Sequence, residues 1–201
     1  MTNRKPTRDP ARGRAAKIAA GIALVGVLLS AGILSFAHGG PQPAPEYAVK
    51  AAFLFNFAKF VEWPADAFAG PASPIVFFVF GENPFGDALK SLKGKTANGR
   101  PIVVRYAANL GELERCHLLF VTASSMALLP KILQATKDWN VLMVGDVDGF
   151  ARDGGTINLV NEEQRIGIEV NMEAAQRTRL QISSKLLGLA KIVKPARRPR
   201  E

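Results

Sequence analysis

The sequence contains a single cysteine, Cys116, and therefore lacks the internal disulfide cross-links that stabilise many small exported proteins. One cysteine excludes an internal disulfide, so stability has to come from a hydrophobic core. Cys116 stands at the edge of the apolar run CHLLFV and is interpreted as a half-buried small hydrophobic residue. An intermolecular disulfide is the alternative.

The sequence also lacks a recognisable catalytic set. His38 and His117 are its only histidines, and His117 adjoins Cys116. Neighbouring residues of a strand point to opposite faces, so these two are not expected to act together as base and nucleophile. No zinc-type cluster and no G-x-x-x-x-G-K-[ST] loop occurs. We therefore expect no enzyme, no metal and no cofactor.

One acidic loop, GDVDGFARDGG, carries Asp146, Asp148 and Asp153 but lacks the closing glutamate of a calcium loop. These aspartates are interpreted as turn and capping residues.

The net charge of +9 is concentrated at the two ends of the chain. Residues 46–190 hold 15 basic and 15 acidic residues, whereas the first 37 and the last 11 residues are basic. A neutral fold with basic ends does not support a nucleic-acid-binding face.

Residues 1–37 resemble a secretory leader. A basic stretch ends at Lys17, and the run from Ile18 to Ala37 has no charge. With small residues at Ser35 and Ala37, this predicts a signal peptide cleaved near Ala37; an uncleaved membrane anchor is the alternative. Either way, the rest of the chain is predicted to be exported, after a Gly- and Pro-rich linker at 38–45.

The exported part alternates short apolar runs with helical patterns. Six runs predict strands: 74–80, 101–106, 117–121, 141–145, 156–160 and 165–170. Helical patterns begin near Pro84, Ser124 or Ser125, Asn171, and Ser183 or Ser184. The order predicts an α/β fold: a layered sheet of about five to six strands, mostly parallel with an antiparallel edge hairpin, flanked by helices.

The segment KAAFLFNFAKFVEWP (50–64) is predicted to form a helix of about four turns that ends before Pro64. At 100° per residue, Phe53, Phe57 and Phe60 share one apolar sector, and Lys59 lies opposite. Phe55 falls among the polar residues with Trp63 nearby. We expect Phe55, Lys59 and Trp63 to contact a partner, with a buried helix-end anchor as the alternative for Trp63.

Ligands of parallel sheets bind beyond the carboxyl ends of the strands. The loops there predict a ligand-binding site for a small anion or polar metabolite, built from Gly81, Asn83, Ser124 and Ser125. The alternative is that these residues are only good caps. Asn158 is a polar residue within a predicted strand near these loops, and a surface group of an edge strand is the equal alternative.

The end of the chain, 194–201, is predicted to be a basic disordered tail. Attraction to anionic lipid head groups is the alternative interpretation.

Several stretches together resemble the YfiR-type exported regulators of diguanylate cyclases. They are YAVKAAFLFNFAKFVEWP (47–64), GENPFGDALKSLKGKTANGRPIVVR (81–105), CHLLFV (116–121), VGDVDGFARDGGTINLV (144–160) and RIGIEVNMEAAQRTRLQISSKLLGLAKIV (165–193). The resemblance covers nearly all of the predicted domain at 46–193, in the same order.

The resemblance implies a non-enzymatic periplasmic inhibitor. Such proteins bind the periplasmic sensor domain of an inner-membrane diguanylate cyclase, limit cyclic di-GMP and biofilm formation, and form homodimers. Some members carry disulfides, which Cys116 cannot form within this chain. A periplasmic small-molecule-binding module that reports to another membrane receptor is the alternative function.

Overall fold

A computed structural model describes residues 46–163 and 165–196. Most of these residues surround one mixed sheet of eight strands, in the order β10-β8-β7-β6-β5-β2-β4-β3. The strands are β2 (Ile75–Phe80), β3 (Thr96–Ala97), β4 (Arg100–Ala107), β5 (Leu118–Val121), β6 (Leu142–Gly145), β7 (Ile157–Glu162), β8 (Arg165–Val170) and β10 (Lys191–Ile192). A separate antiparallel pair joins β1 (Val61–Glu62) to β9 (Gln181–Ile182). The predicted leader, the linker and residues 197–201 lie outside the described residues.

The predicted α/β class is confirmed. Strands β4, β2, β5, β6 and β7 run parallel to one another, whereas β3 pairs antiparallel with β4 and β8 pairs antiparallel with β7. All residues of β5 and β6 are buried, as continuous apolar runs in a doubly covered sheet should be. The sheet has more strands than expected, and β10 lies outside the predicted hairpin.

Helices cover both faces of the sheet. Helix α1 (Glu46–Phe60) contributes to one core, which also contains Leu118 and Phe120. Helix α2 (Leu129–Ala135) contributes to a second core, which contains Leu119 and Val121. Alternate residues of β5 thus enter opposite layers, as the period of a strand requires.

Helix α1 confirms the prediction for the aromatic segment, with a narrower buried face than expected. Leu54 and Phe57 are fully buried, whereas Phe53 and Phe60 are only half-buried. The helix ends at Phe60, and the next two residues form β1 before Pro64. The backbone of β1 is used by β9, which explains why the helix ends early.

Two predicted helices are much shorter in the structure. The segment after Pro84 forms only a 3₁₀ turn, Ala88–Leu92, between glycines with positive φ at Gly86 and Gly94. The segment after Ser183 forms α4 (Ser184–Leu187), which ends at Gly188 because the chain then turns to pair β10 with β8.

Of the other two predicted helix starts, the one at Asn171 is correct, whereas neither Ser124 nor Ser125 caps a helix, because the N-cap position there is Thr122. Asn171 caps α3 (Met172–Arg177), where its side chain accepts the N–H of Ala174 at 3.0 Å. The pattern after Ser124 begins as a 3₁₀ helix, Ala123–Leu128, and continues as α2 with Pro130 in its first turn. In the first turn Pro130 costs the helix no hydrogen bond, because N–H groups at that position have no acceptor within the helix.

The interpretation of Asn158 as a surface residue is wrong. It lies in β7 between Gly145 of β6 and Glu169 of β8, and it is fully buried. Its Nδ2 and Oδ1 atoms have no hydrogen-bond partner in the described part of the chain.

Candidate functional site

The carboxyl ends of β2 and β5 bring together three of the four residues predicted to bind a ligand. Gly81 follows β2, and Ser124 and Ser125 follow β5, its parallel neighbour. Gly81 has a φ of 100°, and a Cβ at this position would collide with the hydroxyls of Ser125 and Thr122. Glycine is therefore required for these hydroxyls to approach the backbone.

The hydroxyls at this sheet edge bind one another and the backbone. Ser124 Oγ accepts the N–H of Glu82 at 3.1 Å and lies 2.9 Å from Thr122 Oγ1. Thr122 Oγ1 donates to the carbonyl of Phe80 at 3.0 Å, so Ser124 donates in the contact between the two hydroxyls. A polar ligand here would have to replace these internal hydrogen bonds.

Asn83, the fourth predicted residue, forms a turn. Its Oδ1 accepts the N–H of Phe85 at 2.9 Å. Phe85 is buried, with its ring edge against Phe120 and the two centroids 4.8 Å apart. Asn83 itself is exposed, and its contact directs Phe85 into the core.

The loop after β6, which begins with Asp146, carries a buried ion pair that was not predicted. Lys50 Nζ lies 2.6 Å from Asp146 Oδ2, and Tyr47 donates its hydroxyl to the same oxygen at 3.0 Å. The side chains of Lys50 and Asp146 are only 3% and 4% exposed. Lys50 also pairs with Glu46, one turn earlier on α1. Asp146 therefore attaches α1 to the end of β6, instead of serving the turn or cap that was predicted.

The helical pattern contains the signal that would have identified Lys50. At 100° per residue, Lys50 lies about 20° from Phe57, in the middle of the apolar sector. A lysine there needs a buried anion. Burial alone would lower the pKa of Lys50, but its hydrogen bonds to Asp146 and Glu46 outweigh burial and raise that pKa, so the side chain stays charged.

Two of the predicted partner-binding residues lie on one surface of α1. Phe55 is half-buried and Lys59 is exposed. The Nζ atoms of Lys59 and Lys95 lie 5.4 Å and 5.0 Å from the centre of the Phe55 ring, within the range of cation–π attraction. The surface is thus an aromatic ring between two cations, and Lys95 connects it to the turn before β3.

Trp63, the third predicted contact, lies beyond the end of α1 and is half-buried. Its indole N–H donates to the carbonyl of His117 at 3.1 Å. The Trp63 ring lies edge-on to the His117 ring, with centroids 6.2 Å apart. These contacts are those of an anchor that holds the end of α1 against the start of β5.

His117 connects three segments. Its Nδ1 accepts the N–H of Val76 at 3.0 Å, and its Nε2 lies 3.2 Å from the carbonyl of Ala67, so Nε2 carries the hydrogen. Its ring stacks on Phe68 at 4.5 Å. Burial lowers the pKa of His117 and favours this neutral form.

Cys116 is fully buried rather than half-buried, and it belongs to the second core. Burial raises the pKa of its thiol to about 12. Among the described residues, no group of three or more His, Cys, Asp or Glu side chains is placed to hold a metal ion. Within residues 46–163 and 165–196, no helix is long and apolar enough to span a bilayer.

The fold and these sites define an α/β protein in which the polar side chains at the strand ends mostly bond to one another and to the backbone. Its first helix carries Phe55, whose ring lies near the cations of Lys59 and Lys95. Residues 47–191 match the YfiR/HmsC-like family, and because this match covers most of the chain, the protein belongs to that family. The family consists of periplasmic regulators of diguanylate cyclases. No curated protein matches the sequence.

Several solved structures, including the following two, are similar to the chain. One is a conserved domain protein from Vibrio cholerae O1 biovar El Tor, with a TM-score of 0.52 and 11% identity over 73% of this chain and 60% of that one. The other is the ABC domain of a Streptococcus pneumoniae protein in complex with L-Trp, with a TM-score of 0.44 and 8% identity over 59% and 55%. The chain therefore spans less than two thirds of either structure, and the first similarity concerns the fold alone.

Proposed function

We propose that the protein is a periplasmic, non-enzymatic repressor that binds the periplasmic sensor domain of an inner-membrane diguanylate cyclase. The observation that carries this proposal is the family match over residues 47–191. Binding lowers cyclic di-GMP and biofilm formation. The repressor needs only a higher affinity for the inactive conformation of the cyclase than for the active one.

The surface of α1 around Phe55 and Lys59 supports the docking part of the proposal. Phe55 is an aromatic side chain that the core does not fully bury, and two cations flank its ring. Aromatic residues with exposed area are common anchors at interfaces. Trp63 contributes by holding the end of the helix through its bond to His117.

The proposed protein is exported by the leader at 1–37, with cleavage near Ala37, and acts as a homodimer. The charge pattern of the leader supports export, and the family resemblance supports the dimer. Contact with the membrane is confined to an uncleaved leader or to the basic tail.

Copurification tests this function directly. The full-length protein is co-expressed with each full-length inner-membrane diguanylate cyclase of its organism that has a periplasmic domain, and copurification and cyclic di-GMP are measured in the same cells. We expect a stable complex, and we expect Phe55→Ser to weaken both binding and repression. Phe53→Ser is the matched control, since Phe53 is also half-buried but lies about 160° away around the helix. Absence of any complex, whatever the redox conditions or added metabolites, would contradict the proposal.

Small-molecule binding at the strand ends is the second candidate function. The observation in its favour is the convergence of Gly81, Ser124 and Ser125, which only glycine at position 81 permits. A ligand that replaces the internal hydrogen bonds there would raise the melting temperature. A panel of anionic and polar metabolites that leaves the melting temperature unchanged would count against it.

A further inference from the structure

The outer edge of β4 is open over most of its length. β4 pairs with β2 from Ile102 to Ala107, but β3 covers its other side only at Arg100 and Pro101. One further bond, from the Ile102 N–H to the Lys95 carbonyl at 3.0 Å, closes that end. From residue 103 to residue 107, no strand of the described residues pairs with the outer side.

The direction of the free backbone groups follows from the bonds that exist. The N–H of Ile102 points outward to Lys95, and the carbonyl of Ala107 points inward to the Gly81 N–H at 2.9 Å. Since successive residues of a strand alternate, Val104 and Tyr106 point their N–H and C=O groups outward. These two residues offer two donors and two acceptors to an additional strand.

The side chains along this edge are accessible to a partner. Val103 is 36% exposed, Tyr106 is 50% exposed, and the side chain of Arg105 is 50% exposed. Val104, in contrast, packs against the first core and holds the strand in place. An added strand would find a fixed backbone edge flanked by exposed apolar and cationic side chains.

The edge is poorly suited to a second copy of this chain. The antiparallel register that uses both free residues pairs Val104 with Tyr106 of the other copy, and therefore places Arg105 opposite Arg105. Their Cα atoms would lie about 4.5 Å apart, and like charges directly opposite destabilise a strand pair. Shifting the register of the two copies in one direction would require the Ile102 N–H, which already donates to the Lys95 carbonyl. Shifting it in the other direction would require the Ala108 N–H, which already donates to Glu112 at 2.8 Å.

The charges around the edge favour an acidic partner. Residues 87–114 contain five basic and three acidic residues, of which Asp87 pairs with Lys90 and Glu112 accepts the Ala108 N–H. Arg105 pairs with Glu114 across an exposed surface, where such pairs contribute only about 0–1 kcal/mol and can be shared. Lys93 and Lys95 make no salt bridge among the described residues.

We propose that the open edge of β4 binds an extended acidic segment of the partner protein by strand addition. The segment forms backbone hydrogen bonds with Val104 and Tyr106 and places a carboxylate opposite Arg105. Its acidic end lies near Lys93 and Lys95, and Lys95 joins this edge to the Phe55 surface. The identity of the partner, though not the strand addition itself, rests on the proposed repression of a cyclase.

Hydrogen exchange tests the edge without any mutation. Amide exchange of the full-length protein is measured with the periplasmic domain of a diguanylate cyclase from the same organism, and separately with a synthetic peptide of alternating glutamate and valine. We expect slower exchange at Val104 and Tyr106 with either probe, and no change with the matched lysine–valine peptide. If neither acidic probe slows exchange at these amides, strand addition is wrong. Slowing that depends only on protein concentration would show a second copy at the edge and would also overturn the proposal.

Two variants test the backbone and the charge separately. Val104→Pro removes an outward N–H that has no partner in the described chain, and we expect it to weaken binding about tenfold. Arg105→Glu is expected to weaken binding about tenfold through repulsion. Val104→Thr, which keeps the N–H, and Lys131→Glu, an exposed charge on α2, are the matched controls. If the cyclase domain binds the wild type and both edge variants equally, the β4 edge is not the binding site, although the proposed repressor function stands. If the cyclase domain does not bind the wild type, the repressor function is contradicted, and the peptide experiment alone decides whether the edge adds a strand.

Discussion

Lys50 is the residue on which the attachment of α1 depends. Its ammonium group is buried between Asp146, Glu46 and Tyr47, so the bond is shielded from water. A buried ion pair often stabilises a fold no more than a well-packed apolar pair of similar volume. Removing one partner, however, leaves the other charge buried without compensation. The cost of a single substitution is therefore much larger than the net contribution of the pair.

We expect Lys50→Met to lower the free energy of unfolding by about 3–5 kcal/mol, because Asp146 remains buried without its cation. Urea denaturation measures this loss. Lys59→Met is the control, since Lys59 is exposed on the same helix, and it should change the free energy by less than about 0.5 kcal/mol.

The double variant Lys50→Met/Asp146→Leu separates burial of charge from packing. It removes both charges, so we expect it to recover most of the stability that Lys50→Met loses. A double variant that is as unstable as the single one would mean that packing, and not the unpaired carboxylate, causes the loss.

At the scale of elements, His117 connects the start of β5 to β2 and to the segment after α1. Its neutral form accepts the Val76 N–H and donates to the Ala67 carbonyl. Protonation would put a hydrogen on Nδ1 and break the bond to β2. Burial is the main cause of the lowered pKa of His117, and Arg100, whose guanidinium stacks on Phe68, contributes in the same direction.

The protein is therefore expected to lose stability as the pH falls below about 6.5, the ordinary value for histidine. Because the folded-state pKa is lowered, the unfolded chain binds the proton first, and the free energy of unfolding rises with pH between the two values. The contribution is complete above about 6.5 and disappears as the pH falls through the folded-state pKa. Urea denaturation from about pH 7.5 to about pH 5 measures it.

His117→Asn is the matched variant for this pH dependence. An asparagine oxygen can accept the Val76 N–H but does not titrate, so the variant should have a flatter profile between about pH 7.5 and about pH 5. An equally steep profile in the variant would assign the pH dependence to other groups.

The sequence predicted the long elements better than the short ones, and the reason is periodicity. The runs that became β2, β4, β5 and β6 have several consecutive apolar residues, so their pattern is unambiguous. Strands such as β3 and β10 have two residues each, which is too short for a pattern, and they exist because a neighbouring strand offers its edge. The same pairing explains why the predicted helix after Ser183 is short.

The candidate sites were predictable where the chain order alone brings residues together. Gly81 and Ser124 follow adjacent parallel strands, so their proximity follows from the strand order. The partners of Lys50 did not follow from it, because Asp146 is distant in sequence and only the packing of α1 on the sheet brings it near. Asn158 was misplaced for a related reason, since β8 and β10 extend the sheet beyond it.

At the scale of the whole molecule, the absence of an internal disulfide makes the two cores responsible for stability. Cys116 lies inside the second core, 6% exposed, and its thiol pKa of about 12 means that almost no thiolate forms near neutral pH. Thiolate is the form that reacts with disulfides and oxidants. A buried, protonated thiol of this kind makes a measurable prediction about redox sensitivity.

We expect the folded protein to be insensitive to redox conditions. The urea midpoint should be the same with dithiothreitol and with an oxidant such as diamide, and an aromatic disulfide reagent should label Cys116 only under conditions that unfold the protein. Ala52→Cys is the control, because Ala52 is exposed on α1 and its thiol should react in the folded state. If the wild type reacts as fast as this variant, or forms a covalent dimer under oxidation, then Cys116 becomes accessible in the native state and the expected redox insensitivity is wrong.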